Sequence, residues 1–384
     1  MEHTPAPTAD SPASWPPASG EAHDTVVGVQ IDPDRRRGRA AGTNISGRFE
    51  NEIREDFDDG WEGLADLPAL KTEVQIEAAR RIITRNDSPD ISFDRSINPY
   101  RGCEHGCIYC FARPSHAYMG LSPGLDFESR LFAKPNAAGL LERELSAPGY
   151  RPKTIAIGTN TDPYQPIERD YRIMRQVLEV LDAANHPVGI VTKSATVLRD
   201  LDILSSMAER GLVKVALSVT TLDRKLARAM EPRASAPMKR LEAIARLAEA
   251  GVPASVMVAP IIPALNDAEI EPILQAAYDR GAREAGYVLL RLPREVSGLF
   301  KDWLARNYPD RYRHVISVLR SMRGGKDYDA NWSSRMTGTG PYAWQIGRRF
   351  ELASRRLGFN KRRLRLTCDA FVPPLKAAEQ LSLF

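Results

Sequence analysis

Between about residue 90 and residue 290 the chain repeats one pattern, a short apolar or β-branched run followed by apolar residues at helical spacing. The runs fall at 154–157, 188–191, 213–219, 254–262 and 286–290. Between them, Ile173, Val177, Leu178 and Leu181 share one face of a predicted helix. Leu198, Leu201, Leu204 and Met207 define a second such face, and Leu241, Ile244 and Leu247 a third. The strand runs are apolar almost throughout instead of alternating, as expected where helices cover a sheet. Repeated strand–helix units imply a parallel sheet with right-handed crossovers. A barrel, complete or incomplete, and an open doubly wound sheet both satisfy this pattern, and periodicity does not separate them.

The flanks differ in texture. Residues 1–27 are rich in Pro, Ala, Ser and Thr and carry too little apolar surface to repay ordering, so they read as a disordered tail. An extension over 28–89 holds the basic run Arg35-Arg36-Arg37-Gly38-Arg39, followed by an acidic stretch over 50–59. The basic run suits either phosphate contact or a solvated arm. The core is expected over 90–298 and a helical, basic extension over 299–375, with a helix over 299–323 that places Tyr312, Val315, Ile316 and Leu319 inward. Residues 364–369 alternate in a way that suggests a strand. With 43% hydrophobic and 27% charged residues the chain is globular, and no apolar run reaches the roughly 18 residues of a membrane span. Its amino terminus lacks the basic start and apolar core of a secretory signal. Four cysteines in 384 residues are too few for a disulfide scaffold, and three of them lie within eight positions, which points to a reducing cytoplasm.

Those three, Cys103, Cys107 and Cys110, carry the sharpest chemical signal. Thiolates are soft ligands for iron and zinc. Spacings of three and then two intervening residues converge only in a tight loop, which Gly102 and Gly106 permit at little steric cost. Three thiolates without an obvious fourth suggest a four-iron cluster with one iron open to an exogenous ligand. The alternative is a structural zinc completed by His105 or His116.

The segment CEHGCIYC, placed after the first strand of a parallel β/α domain, resembles the radical S-adenosylmethionine (SAM) enzymes. With SINPYRG before it and IGTNTDPYQPIE and VTKS downstream, it is similar to the spore photoproduct lyase group, within an uncharacterised bacterial branch. The resemblance implies a partial (β/α)6 barrel of TIM-like type. It also implies a 4Fe–4S cluster on Cys103, Cys107 and Cys110, SAM on the open iron, and a separate electron donor. Reductive cleavage of SAM would then yield a 5′-deoxyadenosyl radical. Tyr109 would lie along the adenine, and Gly158, Thr159, Asn160, Thr161 and Asp162 would receive the methionyl amine or position substrate. Lys193 and Ser194, after the third strand, and Ser218, ending the fourth, would meet the methionyl carboxylate, the ribose or a substrate phosphate. Glu231 and Arg240 are weaker candidates of the same kind. Lyases of the group return a hydrogen atom from an additional cysteine past the second strand. No cysteine stands at 158–162, and Phe111 follows the third cluster cysteine, so the same lyase reaction is not expected.

Two further features point towards nucleic acid. Arg348, Arg349, Arg355, Arg356, Lys361, Arg362, Arg363 and Arg365 fall close together, interleaved or preceded by Tyr328, Trp332, Tyr342 and Trp344. They suit phosphates and stacked bases, or else solvent-facing arginines over a packed helical cap. The terminal peptide within 376–384, Gln380-Leu381-Ser382-Leu383-Phe384, resembles the motif by which bacterial replication and repair proteins bind the sliding clamp. Cys368 stands apart, as either a small buried side chain or a hydrogen-atom donor. The expected activity is radical SAM chemistry on a DNA lesion or modified base. Modification of a small molecule, protein or RNA is one alternative, and a non-enzymatic metal-binding module recruited to DNA is another.

Overall fold

The computed structural model describes residues 31–50, 69–362 and 364–374. The amino-terminal tail, residues 51–59 of the acidic stretch, Arg363 and the terminal peptide with Gln380, Leu381, Ser382, Leu383 and Phe384 lie outside the described residues.

Six strands run parallel: β1 (Arg95–Ile97), β2 (Ile155–Ile157), β3 (Val188–Thr192), β4 (Val213–Ser218), β5 (Ala254–Ile261) and β6 (Glu284–Leu289). They pair in sequence order from β1 to β6. A doubly wound sheet reverses its strand order at a switch point. This order has no reversal, so right-handed crossovers put every connecting helix on one face and the sheet curls into a partial six-stranded barrel. Ile83–Arg85 runs antiparallel along β1, with Ile83 opposite Ile97. The far edge, β6, is braced by the helix Gly340–Leu357, whose Phe350 ring lies 4.7 Å from that of Tyr287.

The helical periods fold as their spacing dictates. Ile173–Ala183 buries Ile173, Met174, Val177, Leu178 and Leu181, and Pro237–Glu249 buries Leu241, Ile244 and Leu247. The helix expected over 299–323 is instead two, Glu295–Asn307 and Pro309–Ser321. Pro309 has no N–H to continue a helix but suits the first position of a new one. The strand expected over 364–369 does not form. This segment meets loop carbonyls at the amino ends of the strands and finds no free sheet edge there: Thr367 N donates to Gly211 O (3.2 Å), and a little further on Val372 N donates to Ala184 O (2.9 Å).

A small second sheet sets up the cysteine loop. Glu73–Ile76 pairs parallel with Arg130–Ala133, which pairs antiparallel with Tyr100–Arg101 immediately before Gly102. No helix among the described residues is long and apolar enough to cross a membrane.

Candidate metal centre

The loop bearing Cys103, Cys107 and Cys110 leaves the carboxyl side of β1 and folds on its own backbone. Gly106 N donates to Cys103 O (3.1 Å) and Cys110 N to Cys107 O (3.1 Å), while Cys103 N reaches Phe127 O (2.9 Å). Gly106 has φ +65°, and a Cβ there would lie 2.6 Å from Glu128 Oε2, so only glycine fits without displacement. The fully buried Arg113 braces the loop from behind. Its Nε donates to Cys107 O (3.0 Å), and Nη2 donates to Gly106 O (3.1 Å) and Glu128 Oε1 (2.5 Å). Nη1 is shared between Pro123 O (3.1 Å) and Gly124 O (2.9 Å). Glu128 also accepts the N–H groups of Ala40 and Ala41, each at 3.0 Å. From the β2 side, Gln165 Nε2 donates to Gly102 O (3.2 Å) and its Oε1 accepts Glu104 N (2.8 Å). Gln165 therefore gives part of the DPYQPIE stretch a structural role.

The donor set fits an iron–sulfur cluster. Burial pushes the Cys103, Cys107 and Cys110 thiols up from their ordinary value. Thiolates at these positions therefore call for the compensating positive charge of a bound metal. Both histidines named for the zinc alternative have other contacts. His116 Nε2 donates to Arg130 O (3.0 Å), and burial holds this ring neutral, down to about 4. His105 Nδ1 faces Asp162 Oδ2 at 3.3 Å.

The loops after β2, β3 and β4 converge on the cysteine loop. Gly158 (φ +88°) brings its backbone so near β3 that a Cβ would sit 1.9 Å from Val191 O. Asn98 Oδ1 accepts Asn160 N (3.1 Å) and Thr161 N (3.5 Å), and the Thr161 hydroxyl donates to Tyr100 O (3.0 Å). Thr159 lies half-buried beside them. Asp162 accepts Thr192 Oγ1 (2.7 Å), Lys193 N (2.7 Å) and Tyr164 N (3.0 Å). Burial opposes its ionisation, yet His105 and these donors hold its carboxyl below the ordinary range.

Across the mouth, Tyr109 donates from its hydroxyl to Glu231. The same carboxylate takes Thr220 Oγ1 (2.6 Å), lies 3.5 Å from Lys193 Nζ, and pairs with buried Arg240. Arg240 also donates to Ser235 O (2.7 Å) and Ser218 O (3.0 Å). Burial disfavours the Glu231 charge, but Arg240 and Lys193 outweigh it and hold the carboxyl well below its ordinary value. Lys193 Nζ sits 5.6 Å above the Tyr109 ring and 3.2 Å from Ala259 O at the end of β5. Sequence reasoning ranked Glu231 and Arg240 low and passed over Thr220, Arg113 and Glu128 altogether. Arg113, three residues past Cys110, offered only proximity, and Glu128 offered no signal.

Other expected residues have different surroundings. The Ser194 hydroxyl accepts Thr196 N (3.2 Å) and caps the turn that follows. Ser218 is buried at the end of β4. Cys368 lies half-buried near Thr154, just before β2, in the segment that Thr367 and Val372 tie to Gly211 and Ala184 at the amino end of the barrel. The cysteine loop follows the carboxyl end of β1, parallel to β2, so the structure does not bring Cys368 to it as a hydrogen donor. Much of the basic region is also neutralised by acids. Glu351 pairs with Arg348 (2.8 Å) and with Arg355, and Glu271 pairs with Arg349 (2.6 Å). Arg356, Lys361, Arg362 and Arg365 stay exposed, as do Trp332 and Trp344, whereas Tyr342 donates to Asp267 Oδ2 (2.6 Å).

Comparison with known proteins agrees with this geometry. Residues 97–277 match the model of the radical SAM superfamily. An uncharacterised protein of Mycobacterium tuberculosis strain H37Rv is 38% identical over 230 residues, covering 59% of this chain and 68% of the relative. An uncharacterised protein of Methanocaldococcus jannaschii is 28% identical over 224 residues, covering 57% of this chain and 78% of that protein. Among solved structures, spore photoproduct lyase complexed with dinucleoside spore photoproduct superposes with a TM-score of 0.50 at 16% identity, over 80% of this chain and 84% of that one. That likeness concerns the fold. The family match covers the cysteine loop and strands β2 to β5, and with it the chain belongs to the radical SAM superfamily of enzymes, whose members use a 4Fe–4S cluster and SAM.

Proposed function

We propose that the chain performs radical SAM chemistry on a modified or damaged nucleic-acid base. Cys103, Cys107 and Cys110 are the ligands in this reading. When bound, the cluster and SAM supply reductive cleavage to a 5′-deoxyadenosyl radical that abstracts hydrogen. Lys193 supplies a cation for the methionyl carboxylate, Tyr109 a ring for the adenine, and the 158–162 turn polar groups for the methionyl amine or the substrate. Buried Arg240 and Glu231 fix the position of Tyr109 and Lys193 and keep the wall of the mouth rigid.

One observation carries the substrate class. Phe111, adjoining Cys110, keeps a ring 46% exposed, with the Arg291 guanidinium 5.1 Å above it. An exposed aromatic ring backed by a guanidinium suits an unstacked base, which would stack on the ring face that Arg291 leaves free. The dinucleoside complex of the lyase sharing this fold supports the same class. The terminal residues Gln380, Leu381, Ser382, Leu383 and Phe384 would add docking on a bacterial sliding clamp; deleting them is expected to abolish clamp capture with iron content unchanged.

The test is anaerobic reconstitution, reduction and chromatography of the products. Iron-loaded protein is expected to release 5′-deoxyadenosine from SAM, faster with oligonucleotides that carry the substrate base. Full iron loading without SAM cleavage would overturn the enzymatic reading. Cleavage indifferent to every nucleic acid, with no oligonucleotide binding, would overturn the substrate class alone.

A further inference from the structure

A cavity of about 480 Å³ opens between residues 36–40, the end of the helix Arg224–Met230 and the helix Glu295–Asn307. Arg36, Arg37, Arg39, Arg228 and Arg306 line it, and no carboxylate does among the described residues. Arg37 and Arg228 are exposed, and their side chains have no hydrogen-bonding or ionic partner among the described residues. Arg306 is held by Asp302 (2.7 Å), and Arg36 donates from Nε to Ile31 O (3.0 Å), with Asp32 acting on it electrostatically. Arg39 is buried, donating to Glu128 O and to Thr72 Oγ1 (2.8 Å). Burial and the neighbouring Arg306 charge weaken protonation of Arg36, against the opposing pull of Asp302, Asp32 and Glu128 outside the cavity lining. The cavity wall is fixed, because buried Trp303 donates from Nε1 to Ala229 O (2.9 Å).

Guanidinium groups match phosphate oxygens in geometry and stay charged when partly desolvated. We propose that this cavity binds a phosphate group, held by Arg36, Arg37, Arg228 and Arg306. The phosphate is either a backbone phosphodiester of a nucleic-acid strand or the phosphoryl group of a free small molecule. Only the first source rests on the substrate reading above. The site also touches the metal centre. The segment that lines it places Ala40 and Ala41 on the Glu128 carboxylate, which holds Arg113 against Cys107 O. An anion that orders this segment therefore steadies the brace of the cysteine loop.

The experiment titrates full-length protein in two separate arms, with pyrophosphate by calorimetry and with a labelled twelve-nucleotide single strand by fluorescence anisotropy. The double variant R37A/R228A is compared with wild type. Neither side chain has a partner to lose, so thermal melting is expected to match. K239A/R246A serves as the control, removing two exposed charges from the helix Pro237–Glu249, no residue of which lines the cavity. R37A/R228A is expected to weaken binding about tenfold or more in at least one arm. In the strand arm it should also lower the slope of log K against log salt by about 1.4, two phosphate contacts at roughly 0.7 each. An effect in the strand arm supports the phosphodiester source. An effect confined to pyrophosphate supports a free phosphate ligand and leaves the site standing without the nucleic-acid reading. Absence of wild-type binding in both arms overturns the proposal, as does equal weakening by the two double variants.

Discussion

The two ends of the barrel are built on different principles. At the carboxyl ends of the strands the protein buries charge: Arg113 with Glu128, Arg240 with Glu231, and His105 against Asp162. At the amino ends rings predominate, and the buried cation there, Arg95, lies 5.2 Å over the Tyr150 ring and donates to Arg151 O (2.5 Å) instead of joining a buried carboxylate. Tyr150 donates to His186 Nε2 (2.8 Å), His186 Nδ1 donates to Pro187 O (3.1 Å), and Phe371 packs 5.5 Å from both rings. This end is closed by ring packing and hydrogen bonds, and none of these contacts is an ion pair with both partners buried. Buried ion pairs cost desolvation that their attraction often fails to recover, so their value lies in holding groups in one geometry. Their concentration around the thiols and the Tyr109–Lys193 wall marks the end where geometry has to be exact to support chemistry.

The largest effect should come from breaking the brace. Replacing Arg113 with Met leaves Glu128 as an uncompensated buried charge and strips donors from four loop carbonyls. The expected cost is about 3–5 kcal/mol in urea unfolding, with loss of iron loading. A cost under about 1 kcal/mol with iron retained would mean that the loop keeps its shape without the pair, and the contrast between the ends would lose its physical basis.

Next comes Glu231, whose effect carries a pH signature. Its folded value lies below the unfolded one of about 4.3, so its contribution is complete above that pH and fades as pH falls towards the folded value. E231Q is expected to cost on the order of 3 kcal/mol at neutral pH and to flatten the acid limb of the stability curve below about pH 4. An acid limb identical in slope to wild type would assign that limb to other carboxylates.

These charged partners show where sequence reading stops. The strands, the connecting helices and the cysteine loop were legible because each depends on short-range periodicity or spacing, and β3 falls within one residue of the run at 188–191. The partial barrel needed strand order, which periodicity does not encode. Arg113 and Glu128 are only 15 residues apart, yet what makes them a pair is their common burial against Ala40 and Ala41, more than 80 residues upstream of Glu128. Glu231 looked like a loop carboxylate until Tyr109, 122 residues away, met it across the mouth. Within the basic stretch, the pairing of Arg349 with Glu271, 78 residues away, was hidden for the same reason.

The two ends share one property, and a smaller prediction follows from it. His116 beside the cysteine loop and His186 at the opposite end are both pushed down to about 4 by burial. The unfolded chain binds protons that these folded rings refuse, so stability falls as pH drops from about 6.5 towards 4. Each ring accounts for roughly 1–3 kcal/mol of that fall. H186L should remove one share of the slope and leave iron loading unchanged, as measured by urea unfolding across pH. Retention of the full slope would show that His186 takes up its proton without unfolding.

Cys368 sets the lower end of the scale. Its thiol lies half-buried beside Thr154, in a strap tied to Gly211 and Ala184 at the amino end of the barrel. Truncation to Ala removes one sulfur from a partly solvated site that can relax, so the cost should stay under about 1 kcal/mol. Iron content, SAM cleavage and the identity of any substrate product should match wild type. A changed product at unchanged SAM turnover would require a path for a hydrogen atom through the length of the barrel. The placement of Cys368 before β2 provides no such path, and the division between a reactive end and a packed end would fail at that residue.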